Sequence, residues 1–235
     1  MAHDGQDRYL TKNAIVKDLL FQTGRSAELV GDVLQRAVET VRSMVSQDGR
    51  VSAALIEENQ TAAHGLAWLA TYAESLKQMQ KWAESLQSEG RLNETEQLLL
   101  QISFGEYLNQ ILGGIPMSQT EIMRLTDLGL TAEDTAGLAD DAIMSLVSNG
   151  NAQATRLRLV QLMQENSADV IVGASGLDEE LEMIREQFRR YSLDRIDPVA
   201  HEWHLNDDLI PMEIIKELAE LGVFGLTIPE EYDGL

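Results

Sequence analysis

Proline placement constrains this chain more than any other feature. A proline removes a backbone donor and clashes with the preceding helical turn, so it interrupts helices and is excluded from most strand interiors. Only four prolines occur in 235 residues, at 116, 198, 211 and 229, and three of them fall in the last forty. Everything before Pro116 is therefore free to run as helix, and the apolar pattern asks for it. Leu29/Val30, Val33/Leu34, Ala37/Val38, Val41 and Met44/Val45 recur at helical spacing. Ser26 is the expected N-cap of this helix and Gly49 its stop.

Ser52 to Ser88 reads as one long helix, with Gly65 its only glycine and Gly90 closing it. Its expected buried stripe is Ile56, Ala63, Leu66, Ala70, Ala73, Leu76, Met79, Ala83 and Leu86. Asn93-Glu94-Thr95-Glu96 is a capping arrangement: Asn93 can bond backbone N–H groups and Glu96 can reach back. The helix it opens carries Leu98, Leu99, Ile102, Tyr107, Leu108, Ile111 and Leu112 to Gly113-Gly114. Two long amphipathic helices joined at Gly90 make an antiparallel hairpin, and the Leu29–Val45 helix completes a bundle. Thr131-Ala132-Glu133-Asp134 is expected to open a short helix, Asn149-Gly150 to break the chain, and Gln153–Met163 to be helical again. No period-two alternation is sustained, so the fold class is all-α.

Charge narrows the partners. Eighteen basic against 39 acidic side chains give a formal charge of −21. Phosphate binding needs a positive field, so nucleic acid is disfavoured, and an anionic membrane surface is disfavoured for the same reason. With no cysteine there is neither a disulfide framework nor a thiolate metal site. The first residues lack the basic and apolar regions of a signal peptide, and no apolar run approaches the roughly 20 residues of a membrane span. A cytoplasmic protein is expected.

Near Ser167–Gly176 the composition turns small and apolar, then the charged helix Leu177–Tyr191 begins. This marks a boundary: a helical unit over 1–166, a linker over 167–176 and a second unit over 177–235. Val170-Ile171-Val172-Gly173-Ala174-Ser175-Gly176 has the look of a dinucleotide-binding turn. It fails the chemical test, because Asp178, Glu179 and Glu180 open the next helix and would repel a pyrophosphate. His201-Glu202-Trp203-His204 spaces two imidazoles as a metal site can, but further ligands are lacking and the segment reads as an exposed bend. Neither constellation is expected to be a site, and no catalytic, cofactor-binding or metal residue is nominated.

After Leu181, Ile184, Phe188 and Ile196, a stripe expected to end at Asp197-Pro198, Asp208 is the expected cap of a new helix with Pro211 in its first turn. Ile214, Ile215, Leu218 and Leu221 form its apolar face and Gly222 its end. Phe224-Gly225-Leu226-Thr227-Ile228-Pro229-Glu230-Glu231-Tyr232 follows. The ordered series from Phe188 through Pro198, His201–Trp203, Met212–Leu221 and this last segment resembles the start of the acyl-CoA dehydrogenase flavoprotein family, over about 177–235. Asp233 stands where that family usually has glycine. Ala63-His64-Gly65-Leu66-Ala67-Trp68, Phe104-Gly105-Glu106-Tyr107-Leu108 and Gly113-Gly114-Ile115-Pro116-Met117-Ser118-Gln119 are similar to the helical extension of the methylsuccinyl-CoA dehydrogenase branch.

The resemblance implies a helical extension followed by the start of the family's N-terminal α-domain, in a chain that stops in mid-domain. It implies, for the full-length parent, thioester oxidation with FAD. A carboxylate base removes the α-proton, the β-hydrogen leaves as hydride to the flavin, and an electron-transfer flavoprotein takes the electrons. It further implies an acyl-CoA substrate and a homo-oligomer. In the family these groups lie in the middle sheet domain and the C-terminal bundle, so the fragment alone is expected to be inactive and free of FAD. The rival reading from another class is a non-catalytic acidic helical interaction module.

Overall fold

The computed structural model describes residues 14–165, 173–232 and 234. The structure is all-α, and its only sheets among the described residues are two antiparallel pairs of two-residue strands. The chain divides into two compact units, Met1–Gly176 and Leu177–Leu235. Residues 166–172, which include Val170-Ile171-Val172 and the start of the expected linker, lie outside the described residues, as does Asp233.

Helix α1 runs Leu19–Val45 and buries Leu29, Val30, Val33, Ala37, Val41 and Val45 on one side. It begins earlier than the sequence suggests, so Ser26 is an interior residue and not the N-cap. The Ser26 hydroxyl is satisfied within the helix, donating to Gln22 O at 2.7 Å, and Thr23 Oγ1 lies 3.0 Å from Leu19 O. Gly24 leaves room for Gln80 Nε2, which would stand 3.1 Å from an added Cβ. Gly49 does not end α1. The helix stops at Val45, and Gly49, with φ of 76°, turns a hairpin between β1 (Ser46–Gln47) and β2 (Arg50–Val51).

The long second helix is interrupted at Asn59 into α2 (Ala53–Glu58) and α3 (Gln60–Ser88). The interruption shifts the buried seam by one residue over its first half. Ala62, Gly65, Leu69 and Tyr72 face inward in place of Ala63, Leu66 and Ala70, while Ala73, Leu76, Ala83 and Leu86 are buried as expected. Ile56 is exposed. Gly90, at φ 69°, closes the turn into α4 (Glu94–Gly113), which Glu96 caps by accepting the Asn93 N–H at 3.1 Å. Phe104, Leu98, Leu100 and Leu108 are fully buried, because α4 packs against α1 and α3 and also against the next two helices.

Between α4 and those helices lie β3 (Ile115–Pro116) and β4 (Ile122–Met123), followed by one-turn 3-10 segments at Leu125–Leu128 and Ala136–Ala139. Thr131–Asp134 forms a turn and not the opening of an α-helix. The Asp134 carboxylate draws in the Thr131 N–H at 2.8 Å and hydroxyl at 2.6 Å, which closes the backbone into a loop. The helix proper is α5 (Asp141–Asn149), capped by Asp140, whose Oδ1 accepts the Ala142 N–H at 2.9 Å. Gly105 and Gly150 let α4 and α5 meet backbone to backbone: a Cβ on Gly105 would lie 2.7 Å from Asn151 N, and one on Gly150 2.5 Å from Gln101 O. Helix α6 (Gln153–Glu165) is tied to the start of α4 by a two-point ion pair, Arg158 Nε and Nη2 to Glu94 Oε1 and Oε2 at 2.7 and 2.6 Å.

The second unit contains α7 (Glu179–Tyr191), α8 (Asp197–Asn206) and α9 (Met212–Glu220). Asp178 caps α7, accepting the Leu181 N–H at 2.9 Å. Helical backbone does not end at Asp197-Pro198. A π-helical turn, Ser192–Ile196, carries α7 into α8, and Pro198 occupies the first turn of α8, where no intrahelical donor is required of it. The His201–His204 segment is accordingly helix and not a bend, with both histidines exposed as expected. Helix α9 is preceded directly by Pro211. Asp208 is not its cap but closes α8, donating its N–H to Trp203 O at 2.9 Å beside the left-handed Asp207. Gly222, at φ 81°, ends α9 in a paired closure: its N–H reaches Ala219 O and that of Val223 reaches Leu218 O.

Candidate functional site

Grouped chemistry is sparse, and each place where side chains gather has a definite structural content. His201 and His204 lie one turn apart on α8, both exposed. Among the described residues no three His, Asp or Glu side chains are grouped as a metal would require. Gly173 and Gly176 both take left-handed backbone angles, as a phosphate-binding turn would, but the helix that follows them opens with Glu179, Glu180 and Glu182.

A cavity of about 510 Å³ is in the first unit. Leu112, Leu125, Leu130, Leu138 and Met144 supply an apolar lining, with Arg124 and three threonines among its polar groups. Apolar residues within the 124–139 loop are the signal for it in the sequence; helical periodicity alone passes over them. Arg124 is the only charged residue of this lining, so the cavity can hold an apolar body but has no acid–base pair to act on one.

A smaller cleft of about 340 Å³ sits by Ile56, His64, Met117 and Glu121. His64 opens an aromatic ladder along α3: Trp68 Nε1 donates to His64 Nε2 at 3.0 Å, Trp68 meets Tyr72 edge-on, and Tyr72 meets Tyr107 of α4 with ring centres 4.6 Å apart. Tyr72 donates its hydroxyl to Gln110. Burial, and secondarily Tyr107 and Glu106, raise the Tyr72 pKa above the usual phenol value, which keeps the hydroxyl a donor.

Buried polar groups that apolar patterning misses hold the first unit together. Thr23 Oγ1 lies 2.6 Å from Gln80 Oε1, and Gln80 Nε2 donates to Leu20 O at 3.1 Å, joining α3 to α1. Gln101 is wholly buried on α4; its amide accepts the Val16 N–H at 2.8 Å and donates to Ala14 O at 2.6 Å. In the second unit Glu217 of α9 accepts from the Tyr191 hydroxyl at 2.7 Å and from Arg195 Nη2 at 2.6 Å. Arg195, and then Tyr191, hold the Glu217 carboxyl below its ordinary pKa.

These residues do not fit a flavin dinucleotide. Its pyrophosphate would need backbone N–H groups free of carboxylates, whereas the left-handed glycines lead into the acidic turn of α7. The larger cavity offers an apolar lining without such a cradle.

Sequence comparison supplies what local geometry does not. Residues 178–235 match the acyl-CoA dehydrogenase N-terminal domain. Over 225 residues, 96% of this chain, it is 52% identical to (2S)-methylsuccinyl-CoA dehydrogenase from Cereibacter sphaeroides, in a match that takes in 40% of that protein. Glutaryl-CoA dehydrogenase from Desulfococcus multivorans is 36% identical over 59 residues, 25% of this chain and 15% of that protein. The chain thus spans well under half the length of the curated relatives it matches. The chain is therefore similar to the acyl-CoA dehydrogenase N-terminal domain over residues 178–235, and over nearly its whole length to part of (2S)-methylsuccinyl-CoA dehydrogenase.

Proposed function

We propose that this chain is the N-terminal part of an FAD-dependent acyl-CoA dehydrogenase that converts methylsuccinyl-CoA to mesaconyl-CoA by α,β-dehydrogenation of the thioester. One observation carries the reading: the 52% identity runs through the extension as well as the family domain. The match to the glutaryl-CoA enzyme covers only 25% of this chain. The division into an extension over 1–166, a linker over 167–176 and the start of the family domain over 177–235 belongs to the same proposal. So do a cytoplasmic location, a homo-oligomeric parent and electron delivery to an electron-transfer flavoprotein. The catalytic base and the flavin contacts are assigned to the part of the parent beyond this chain, which matches only 40% of the methylsuccinyl-CoA relative.

The test is to express the full coding sequence and assay acyl-CoA oxidation with an artificial electron acceptor. A yellow, flavin-bearing protein that oxidises methylsuccinyl-CoA in preference to glutaryl-CoA is expected. The reverse preference would overturn the substrate assignment, and a colourless, inactive full-length protein would overturn the enzyme assignment. The chain over 1–235 should purify without flavin, and stoichiometric retention there would show that the site has been misplaced. A stop codon directly after Leu235 would favour the acidic helical interaction module, which the first unit's own buried core makes physically workable.

A further inference from the structure

We propose that Gly173–Gly176 is a releasable strap, held on the α3–α4 end of the first unit by Trp82 and Glu96. Both backbone groups of one residue, Ala174, are taken by side chains from two different helices. Its N–H donates to Glu96 Oε1 at 2.8 Å and its carbonyl accepts from Trp82 Nε1 at 3.1 Å. Such two-sided capture is how a sheet edge holds a strand, but here side chains do it. Recognition through the backbone does not depend on Ala174's own side chain.

The flanking glycines make the approach close enough. Gly173 (φ 86°) and Gly176 (φ 74°) both occupy the left-handed region, where other residues are strained. A Cβ on Gly173 would lie 2.9 Å from Leu99 Cδ1, and one on Gly176 2.6 Å from Trp82 Cδ1. Chain direction and clearance thus both require glycine at two positions three apart.

Glu96 gives the strap its default closed state. It is a buried residue whose Oε2 already caps α4 through the Asn93 N–H, while Oε1 receives Ala174. Lifting the strap takes that donor from a buried carboxylate, which is costly. Release is nonetheless achievable locally, since Gly173, Ala174, Ser175 and Gly176 carry no large side chain and none is fully buried. Only Leu177 separates the strap from Asp178, the cap of α7.

Native-state hydrogen exchange on the whole chain tests this, and the test does not depend on the enzymatic reading. In the wild type the Ala174 amide should exchange well below the rate of an unstructured peptide. Trp82→Phe keeps a ring but removes the donor, and should speed Ala174 exchange about tenfold, the effect of losing one hydrogen bond. Gly176→Ala, whose added Cβ would press on the Trp82 ring, should do the same while leaving the indole N–H in the chain. In both, the interior amides of α4 should keep their wild-type protection. Unprotected Ala174 in the wild type would overturn the strap. Equal acceleration of Ala174 and the α4 interior in both variants would also overturn it, by showing general destabilisation of the first unit.

Discussion

Val30, Ala37, Leu69, Leu76, Phe104 and Leu108 of the first unit are completely shielded from solvent, whereas in the second Ile214 alone, among the described residues, is a buried apolar side chain. Leu209 is 91% exposed, Met212 66% and Phe224 59%. The second unit relies instead on caps and surface ion pairs: Asp178 at α7, Arg189 and Arg190 on Glu186, and Arg195 on Glu217. Such pairs contribute little in water, while a buried Leu or Phe contributes kilocalories. One unit is specified by a core of its own. The other presents an apolar surface of the kind that marks a face made to be covered.

The contrast is broken most forcefully from the core side. Phe104→Ala should destabilise the first unit by about 3–5 kcal/mol, read as a lowered midpoint in denaturant unfolding. An unchanged midpoint would mean that α4 is not the centre of that unit. Gly150→Val should follow at about 3 kcal/mol, since its side chain meets the backbone of α4, and the same unfolding measurement applies. Limited proteolysis compares the units directly. Cuts after about residue 176 should precede any within Ser52–Leu112, and equal resistance would remove the distinction.

Acid should weaken the second unit, which has little buried core to hold it once its ion pairs are lost. Arg189 and Arg190 depress the Glu186 carboxyl from its ordinary 4.5 to about 2. A depressed folded-state value stabilises the fold above the unfolded value, so this contribution is intact above pH 4.5 and lost as pH falls toward 2. Glu217, lowered by Arg195, acts in the same direction. Amide exchange or NMR of α7 and α9 should show loosening across that window, reduced in high salt because these pairs are exposed. The smallest effect expected is that of Asp178→Ala, about 1 kcal/mol for a lost N-cap, visible as fraying in the first turn of α7.

The sequence disclosed what local chemistry decides. The reach-back of Glu96 to Asn93, the left-handed closures at Gly90 and Gly222, and the Asn149-Gly150 break each depend on a few neighbouring residues, and each appears in the structure. It misled where tertiary contacts overrule local preference. Ser26 was the expected N-cap, yet α1 runs through it from Leu19, with Thr23 and Gly24 packed against Gln80. Gln80 and Gln101 are polar, so an apolar stripe cannot include them, although both are buried at helix junctions. Of the candidate sites, the histidine pair and the glycine turn were visible as motifs and unpromising as chemistry. The cavity at Leu112–Met144 depends on loops whose packing no periodicity encodes.

The π-helical turn at Ser192–Ile196 makes the second unit sensitive to chain length rather than to residue identity. Each residue of an α-helix turns the chain by about 100°, so one residue more or fewer in that stretch would rotate α7 against α8 by that amount. Arg195 and Tyr191 would then no longer converge on Glu217. None of these five side chains is buried, so single substitutions other than at Arg195 should be absorbed. A one-residue deletion should not be, and relatives of this chain should preserve the count there even where they share few of its side chains.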